Sequence, residues 1–339
     1  MKQIAWLNSS RALAIFAVVT LHVSAILLSE KNTASLEWWA GNLINSSVRW
    51  CVPVFIMISG ALLLEDNQAA KITAFYKNRL KKIMVPLIFW SIFFIVWSLL
   101  KLNIKEGNIS NYNILSRLIT GTPYYHMWFI YMILPLYILT PFLQKVILKS
   151  SKQELNLLIA FSFIVSILYN IDDAFSDHSS SIFLTKFLSF IPYFLIGYNI
   201  KRSTETPPKQ VLWIVFLASI IVTSLGYYYG SINDNRLISL YFYDYLSVSV
   251  LAMSLSFFYI LKEWKLSVFL EKKIAKLSLL SLGIYLVHPV IIDIIRFFKI
   301  GPDTFNPIIS LPIITITVFA VSLSTCLIIR KMPVIKKII

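Results

Sequence analysis

Five residues that can move a proton or hold a charge lie inside long apolar segments of the sequence. They are Arg11, His22, Arg49, His126 and His288. A histidine can take up and return a proton near neutral pH, and a guanidinium pairs well with a phosphate or a developing oxyanion. An ionisable group in a membrane helix costs at least ~2.5–3.5 kcal/mol on insertion scales, so each of these residues requires a reason to be there.

Arg11 and His22 are eleven residues apart, a spacing that places both on one face of a helix. Eleven steps of about 100° end roughly 20° past three full turns, and the rise is about 16 Å. One helix would therefore present an arginine at one depth and a histidine at another. Arg49 and His126 lie in other apolar segments at a depth similar to that of His22. Convergence of such costly groups at one level indicates a functional site.

Each of these residues also has a structural interpretation. Arg11 could snorkel to lipid headgroups and anchor its helix, and Arg49 could pair with a carbonyl or an acid. A membrane histidine can also be a hydrogen-bonded packing residue. This alternative remains for His22, His126 and His288 when each is considered alone.

The segment after His288 carries further polar residues and a proline. Pro289 removes a backbone donor and is expected to open or kink the helix there. Asp293 and Arg296 are three residues apart, so they are expected to pair along the helix.

The elements that must position these residues are transmembrane helices. The chain of 339 residues is 58% hydrophobic and only 14% charged, which is too apolar for one soluble core. Apolar stretches of ~17–25 residues recur without period-2 alternation, which favours helices over a barrel. The predicted spans are 7–28, 42–64, 83–100, 124–144, 155–170, 181–200, 211–229, 245–261, 279–298 and 308–329. The fold is predicted to be an all-α bundle of about ten transmembrane helices, forming one domain over residues 1–339.

Basic residues are concentrated in alternate connections between the spans. Most of the 31 lysine and arginine residues fall at the two ends of the chain and in the even-numbered connections, whereas the other loops are enriched in acids. The positive-inside rule therefore predicts that both termini are cytoplasmic. The net charge of +15 reflects this topology and attraction to anionic headgroups, so the lipid bilayer is the expected partner and nucleic acid is not. Cys51 and Cys326 lie in apolar runs and are expected to be buried.

Four features together resemble the membrane acyltransferase 3 family of O-acyltransferases. They are the Arg11-to-His22 spacing, Arg49 with Pro53 to Gly60, His126-Met127-Trp128-Phe129, and Ser281-Leu282-Gly283-Ile284-Tyr285 ending at His288. These features occur in family order from the first span to the ninth, so the resemblance covers nearly the whole chain. It is closest to the branch that O-acetylates surface polysaccharides such as enterobacterial common antigen. One departure is Asn8, where many members carry an acid.

The resemblance implies an enzyme of the cell inner membrane that takes an acyl group from cytoplasmic acyl-CoA, most readily acetyl-CoA. The acceptor would be a sugar hydroxyl of a surface glycan or a lipid-linked oligosaccharide at the outer face. No metal is expected. The family's arginine-to-histidine motif maps onto Arg11 and His22, which the family treats as essential.

Ester formation from a thioester needs a base for the sugar hydroxyl and stabilisation of the oxyanion. His22 is assigned as the general base, and Arg49 or His126 as the group that stabilises the oxyanion or orients the acceptor. A covalent acyl-histidine relay stays open. The residues expected to bind the donor are Arg11, Tyr285 and His288.

Two other classes of protein remain as alternatives. A transporter or flippase of a lipid-linked sugar would also carry polar intramembrane residues, but it would consume no thioester. A structural or sensor subunit of a polysaccharide assembly complex would use the histidines only for packing.

Overall fold

The computed structural model describes residues 5–65, 72–106, 112–175, 186–264, 266–333 and 335–339, and these form helices without any strand. The helices are α1 (Ala5–Glu30), α2 (Leu36–Val48), α3 (Cys51–Leu63), α4 (Ile72–Glu106), α5 (Ile114–Ile119), α6 (Trp128–Lys149), α7 (Lys152–Phe175), α8 (Ile191–Arg202), α9 (Lys209–Ile232), α10 (Arg236–Tyr243), α11 (Val248–Glu263), α12 (Val268–Ser278), α13 (Ser281–Phe297) and α14 (Pro307–Lys331). The prediction of an all-α, polytopic membrane protein is confirmed. We call the face of the bundle at which α1 begins the near face, and the face at which it ends the far face.

The described residues contain eight helical segments that are long and apolar enough to cross a membrane, or nine if the bent pair α12–α13 is one span. Two of the eight are composite, α2 with α3 and α10 with α11. The sequence predicts ten. The remaining predicted span, 181–200, starts outside the described residues, and its described part is a short 3-10 turn at Phe187–Phe190 followed by α8.

Helix α1 lies at the centre of the bundle and contacts α2, α3, α11, α12, α13 and α14. Its buried face is rich in small residues, among them Ser10, Ala14, Ala17 and Ser24. Small side chains let helix backbones approach closely where lipid supplies no hydrophobic drive for association. The helix that carries Arg11 and His22 is therefore fixed on several sides.

Helices α3 and α8 pack at glycine positions that tolerate no side chain. A Cβ atom on Gly60 would lie 1.8 Å from the carbonyl oxygen of Phe194, and one on Gly197 would lie 2.1 Å from that of Met57. This backbone contact, of the kind small residues allow in membrane bundles, fixes the position of α3.

The helix does not open at Pro289, and the expected pairing of Asp293 with Arg296 is wrong. Helix α13 continues through Pro289, and the sharp break, a bend of 63°, lies before it between α12 and α13. Asp293 and Arg296 do not pair with each other along the helix. The guanidinium of Arg296 instead bonds Glu30 and Asp303, 2.8 Å from the Asp303 carboxylate. These long-range partners fasten the far-face ends of α1 and α13.

Candidate active site

A cavity of ≈ 320 Å³ lies among α1, α3, α4, α6 and α13. Its lining includes Arg11, Val18, His22, Phe55, Ser59, Arg79, Lys82, His126, Trp128, Tyr137, Tyr245 and Tyr285. Arg11 and His22 both line it, so the predicted shared face of α1 is the wall of one cavity. The other walls come from α3 and α13, which contact α1, and from α4, α6 and the turn that precedes α6.

The two ends of the cavity differ in chemistry. Three cations, Arg11, Arg79 and Lys82, line the end toward the near face, and Lys82 is exposed there. His22 and His126 line the inner end, about 16 Å from Arg11 along the axis of α1. An elongated molecule with an anionic head would therefore place its other end at the histidines.

Three histidines from different parts of the chain meet at the inner end. The ring of His288 stacks on that of His22 with centroids 5.2 Å apart, and it meets the ring of His126 edge-on at 5.6 Å. The ring of Tyr125 also packs against His22, tilted by 58° with centroids 4.9 Å apart. His288 is fully buried, so it supports the two cavity histidines from behind.

The tautomer of His288 follows from its surroundings. Its Nδ1 lies 3.1 Å from the carbonyl oxygen of Ile284, one turn earlier on α13. A carbonyl can only accept, so Nδ1 must carry the proton, and in the neutral ring Nε2 keeps a free lone pair. That Nε2 is buried and has no hydrogen-bond partner among the described residues.

His126 lies on a tight turn that is held from α13. The hydroxyl of Tyr285 donates to the backbone carbonyl of His126, and the ring of Phe94 meets the imidazole edge-on at 4.9 Å. Both ring nitrogens of His126 are buried without a hydrogen-bond partner in the described part of the chain. Buried polar atoms usually have hydrogen-bond partners. Two buried ring nitrogens without such partners beside a cavity therefore indicate a place where a substrate forms hydrogen bonds.

Asp293 anchors the same turn from its far-face side. Its carboxylate accepts hydrogen bonds from Trp97 Nε1 at 2.7 Å and from the hydroxyl of Tyr124, and it pairs with Lys101 at 2.8 Å. The turn is thus fixed at both Tyr124 and His126, and α4 is tied to α13.

Arg49 lies at the break between α2 and α3 and is not among the residues that line the cavity. Its Nε and Nη2 donate to Asn45 Oδ1 at 3.1 and 2.8 Å, and its Nη1 donates to the carbonyl of Tyr243. Its guanidinium carbon lies 3.5 Å from the centre of the Tyr243 ring. Asn45 in turn donates to the carbonyl of Leu21 at 2.9 Å. Arg49 is therefore connected to α1 through Asn45, which bonds the carbonyl of Leu21, the residue before His22.

The model of a protein family described as an acyltransferase domain, that of the acyltransferase 3 family, matches residues 4–329. The chain belongs to the acyltransferase 3 family. No curated protein and no solved structure matches it. Family membership makes the chain a membrane acyltransferase, which favours that hypothesis over a transporter or a packing subunit.

The structure brings most of the predicted site residues of the acyltransferase together. Arg11, His22, His126 and Tyr285 line one cavity, and His288 lies directly behind it. Arg49 is the exception described above. Sequence reasoning missed Arg79 and Lys82, which belong to a basic run that was attributed to topology. Their spacing of three residues, which puts them on one helix face, could have indicated a shared role.

The chemistry open to this acyltransferase is set by imidazole and guanidinium groups. No carboxylate is among the described residues that line the cavity. Within the described ranges, no group of three or more His, Cys, Asp or Glu side chains could hold a metal ion. Proton transfer and charge stabilisation at the inner end therefore rest on the histidines.

Proposed function

We propose that this membrane acyltransferase moves an acetyl group from acetyl-CoA, supplied at the near face, to a sugar hydroxyl of a surface glycan or lipid-linked oligosaccharide at the far face. The observation that carries the proposal is the single cavity with cations at its near-face end and histidines at its inner end. By the positive-inside rule the near face is cytoplasmic, which fits an enzyme of the cell inner membrane. The proposed branch is that of the enterobacterial common antigen O-acetyltransferases.

The donor fits the cavity in one orientation. Arg11, Arg79 and Lys82 would bind the phosphates of CoA, because guanidinium and ammonium groups pair strongly with phosphate oxygens. Apolar walls such as Val18 and Phe55 would contact the extended pantetheine arm. The volume of ≈ 320 Å³ suits a narrow chain, so the nucleotide would stay at the near-face mouth while the thioester reaches His22.

His22 acts as the general base in this proposal. The sugar hydroxyl gives its proton to a ring nitrogen of His22 while its oxygen bonds to the thioester carbonyl carbon. The carbon–sulfur bond then breaks, the acetyl group stays on the sugar oxygen, and the thiolate takes the proton back from His22 and leaves as the CoA thiol. Such proton transfer contributes typically about 10²–10⁴-fold to a rate.

His126 stabilises the tetrahedral intermediate. The negative charge develops on the former carbonyl oxygen, and a ring N–H of His126 would donate to it. This donor is already fixed by the contacts of its turn, and a preorganised donor in a dry site is worth more than one in water. Arg49 acts through Asn45 as a positioning residue for α1 rather than on the reacting atoms.

Label transfer tests the proposal. Sealed vesicles would receive labelled acetyl-CoA on the near-face side only and the host's lipid-linked or surface glycan on the other, with vesicles lacking the protein as the control. We expect alkali-labile label on the glycan that depends on the protein. Transfer from succinyl-CoA but not from acetyl-CoA would mean that the acyl group is succinyl rather than acetyl. No transfer from either donor would reject the proposed substrates.

A further inference from the structure

Tyr125 occupies the space between the histidine cluster and the far-face side of the molecule. One side of its ring covers His22, with centroids 4.9 Å apart. The residue is nevertheless 45% exposed, and it is not among the residues that line the cavity. Its exposed surface therefore lies outside the cavity, so the ring separates His22 from that surface.

The residues on both sides of Tyr125 are held by hydrogen bonds, whereas its own side chain is held by ring packing alone among the described residues. The hydroxyl of Tyr124 bonds Asp293 and Lys101, and the carbonyl of His126 accepts from Tyr285. The Tyr125 hydroxyl makes no hydrogen bond to any other part of the chain that the structure describes. The aromatic rings it contacts within the described ranges are those of His22 and of its two chain neighbours. A rotation of this one side chain would uncover His22 without disturbing the turn.

We infer that Tyr125 is a specificity-determining residue that closes the far-face side of the site and keeps water from the thioester, so that the acyl group passes to a sugar hydroxyl. The inference rests on the proposed function, in which donor and acceptor reach His22 from opposite faces. The acceptor must then approach through the position of Tyr125. A phenol ring suits both states, because it excludes water when closed and offers an apolar face to a sugar ring when displaced.

Acceptor-independent hydrolysis of acetyl-CoA is the first test. Tyr125→Ala should raise hydrolysis by about tenfold, equivalent to a barrier lower by ~1.4 kcal/mol, and should lower transfer to the glycan. Tyr125→Phe, which keeps the ring, should restore low hydrolysis. Tyr229→Ala is the matched control, since Tyr229 is an exposed tyrosine near the far-face end of α9. Unchanged hydrolysis in Tyr125→Ala, at equal membrane abundance and with the native protein active on acetyl-CoA, would overturn the inference.

Accessibility gives a second test that needs no catalysis. A His22→Cys protein in sealed vesicles would be exposed to a membrane-impermeant thiol reagent on the far-face side only. The native Cys51 and Cys326 are fully buried, so their background labelling should be low. Adding Tyr125→Ala should speed labelling several-fold, and adding Tyr229→Ala should not.

The two tests separate the inference from the proposed function. Equal labelling rates with and without Tyr125 would reject the closure, whatever reaction the enzyme catalyses. Faster labelling in Tyr125→Ala together with no use of acetyl-CoA by any variant would support the closure and reject the proposed donor.

Discussion

His22 and His288 stack ring on ring, 5.2 Å apart between centroids, although 266 positions separate them in the chain. The contact joins α1 to α13 at the inner end of the cavity. Two imidazolium charges this close in a dry site would repel strongly. The pair therefore takes up at most one extra proton, and hence one positive charge, at a time, which suits a base that must return its proton to the leaving thiolate.

We predict that the Nε2 atom of His288 contributes to the reaction beyond packing. His288→Asn keeps a nitrogen near the position of Nδ1, so it can still donate to the Ile284 carbonyl, but it has nothing at the position of Nε2. His288→Gln can place its amide oxygen, which accepts hydrogen bonds, near the position of Nε2. Acetyl transfer should fall by about tenfold or more in the Asn variant and by less in the Gln variant. Equal losses in both variants at equal thermal stability would mean that the ring only packs.

Asn45 is predicted to position His22 through the Leu21 carbonyl. Asn45→Asp keeps the acceptor for Arg49 but loses the amide donor to Leu21. Losing a buried hydrogen bond should lower the free energy of unfolding by about 1–3 kcal/mol. A displaced His22 should also lower kcat and leave the KM for acetyl-CoA nearly unchanged, because Arg11 at the other end of the cavity is not affected.

Steady-state kinetics and thermal melting of Asn45→Asp and Asn45→Ala check this prediction. The Ala variant also removes the acceptor for Arg49, so its loss of stability should be larger. A raised KM with an unchanged kcat in Asn45→Asp would contradict the positioning role.

The far-face cluster around Asp303 is predicted to weaken in acid. Burial alone would raise the pKa of the Asp303 carboxyl, but the hydrogen bond from Lys31 and the charge of Arg296 outweigh it and hold the pKa below its ordinary value. A depressed folded-state pKa adds stability above the unfolded value of about 3.9, and this stability is lost as the pH falls through the lower folded value. The melting temperatures of the native protein and of Asp303→Asn should therefore converge below about pH 4. A difference that stays constant into acid would contradict this account.

The sequence predicted the part of the site that lies on one helix. The positions of Arg11 and His22 follow from helical periodicity alone, and both line the cavity. The depth of His126 also followed from its place before α6. These features depend on local geometry and on the thickness of the membrane, both of which the chain encodes directly.

Features that depend on distant partners were not predictable. Asp293 and Arg296 were expected to pair with each other. Asp293 instead pairs with Lys101, and Arg296 pairs with Glu30 and Asp303. The end of α2 at Val48 directs Arg49 to the carbonyl of Tyr243 rather than to the cavity. Sequence spacing cannot show which of several helices will face a side chain.

Acetyl transfer by His22→Ala, compared with Thr20→Val, tests the central claim most directly. Thr20 lies on the same helix and is buried, and within the described part of the chain its hydroxyl bonds only the Phe16 carbonyl one turn earlier, so its variant controls for damage to α1. Both variants would be assayed with labelled acetyl-CoA and the host glycan at equal membrane abundance. We predict that transfer falls by about 10²–10⁴-fold in His22→Ala and by little in Thr20→Val. Full transfer by His22→Ala would contradict the assignment of His22 as the general base.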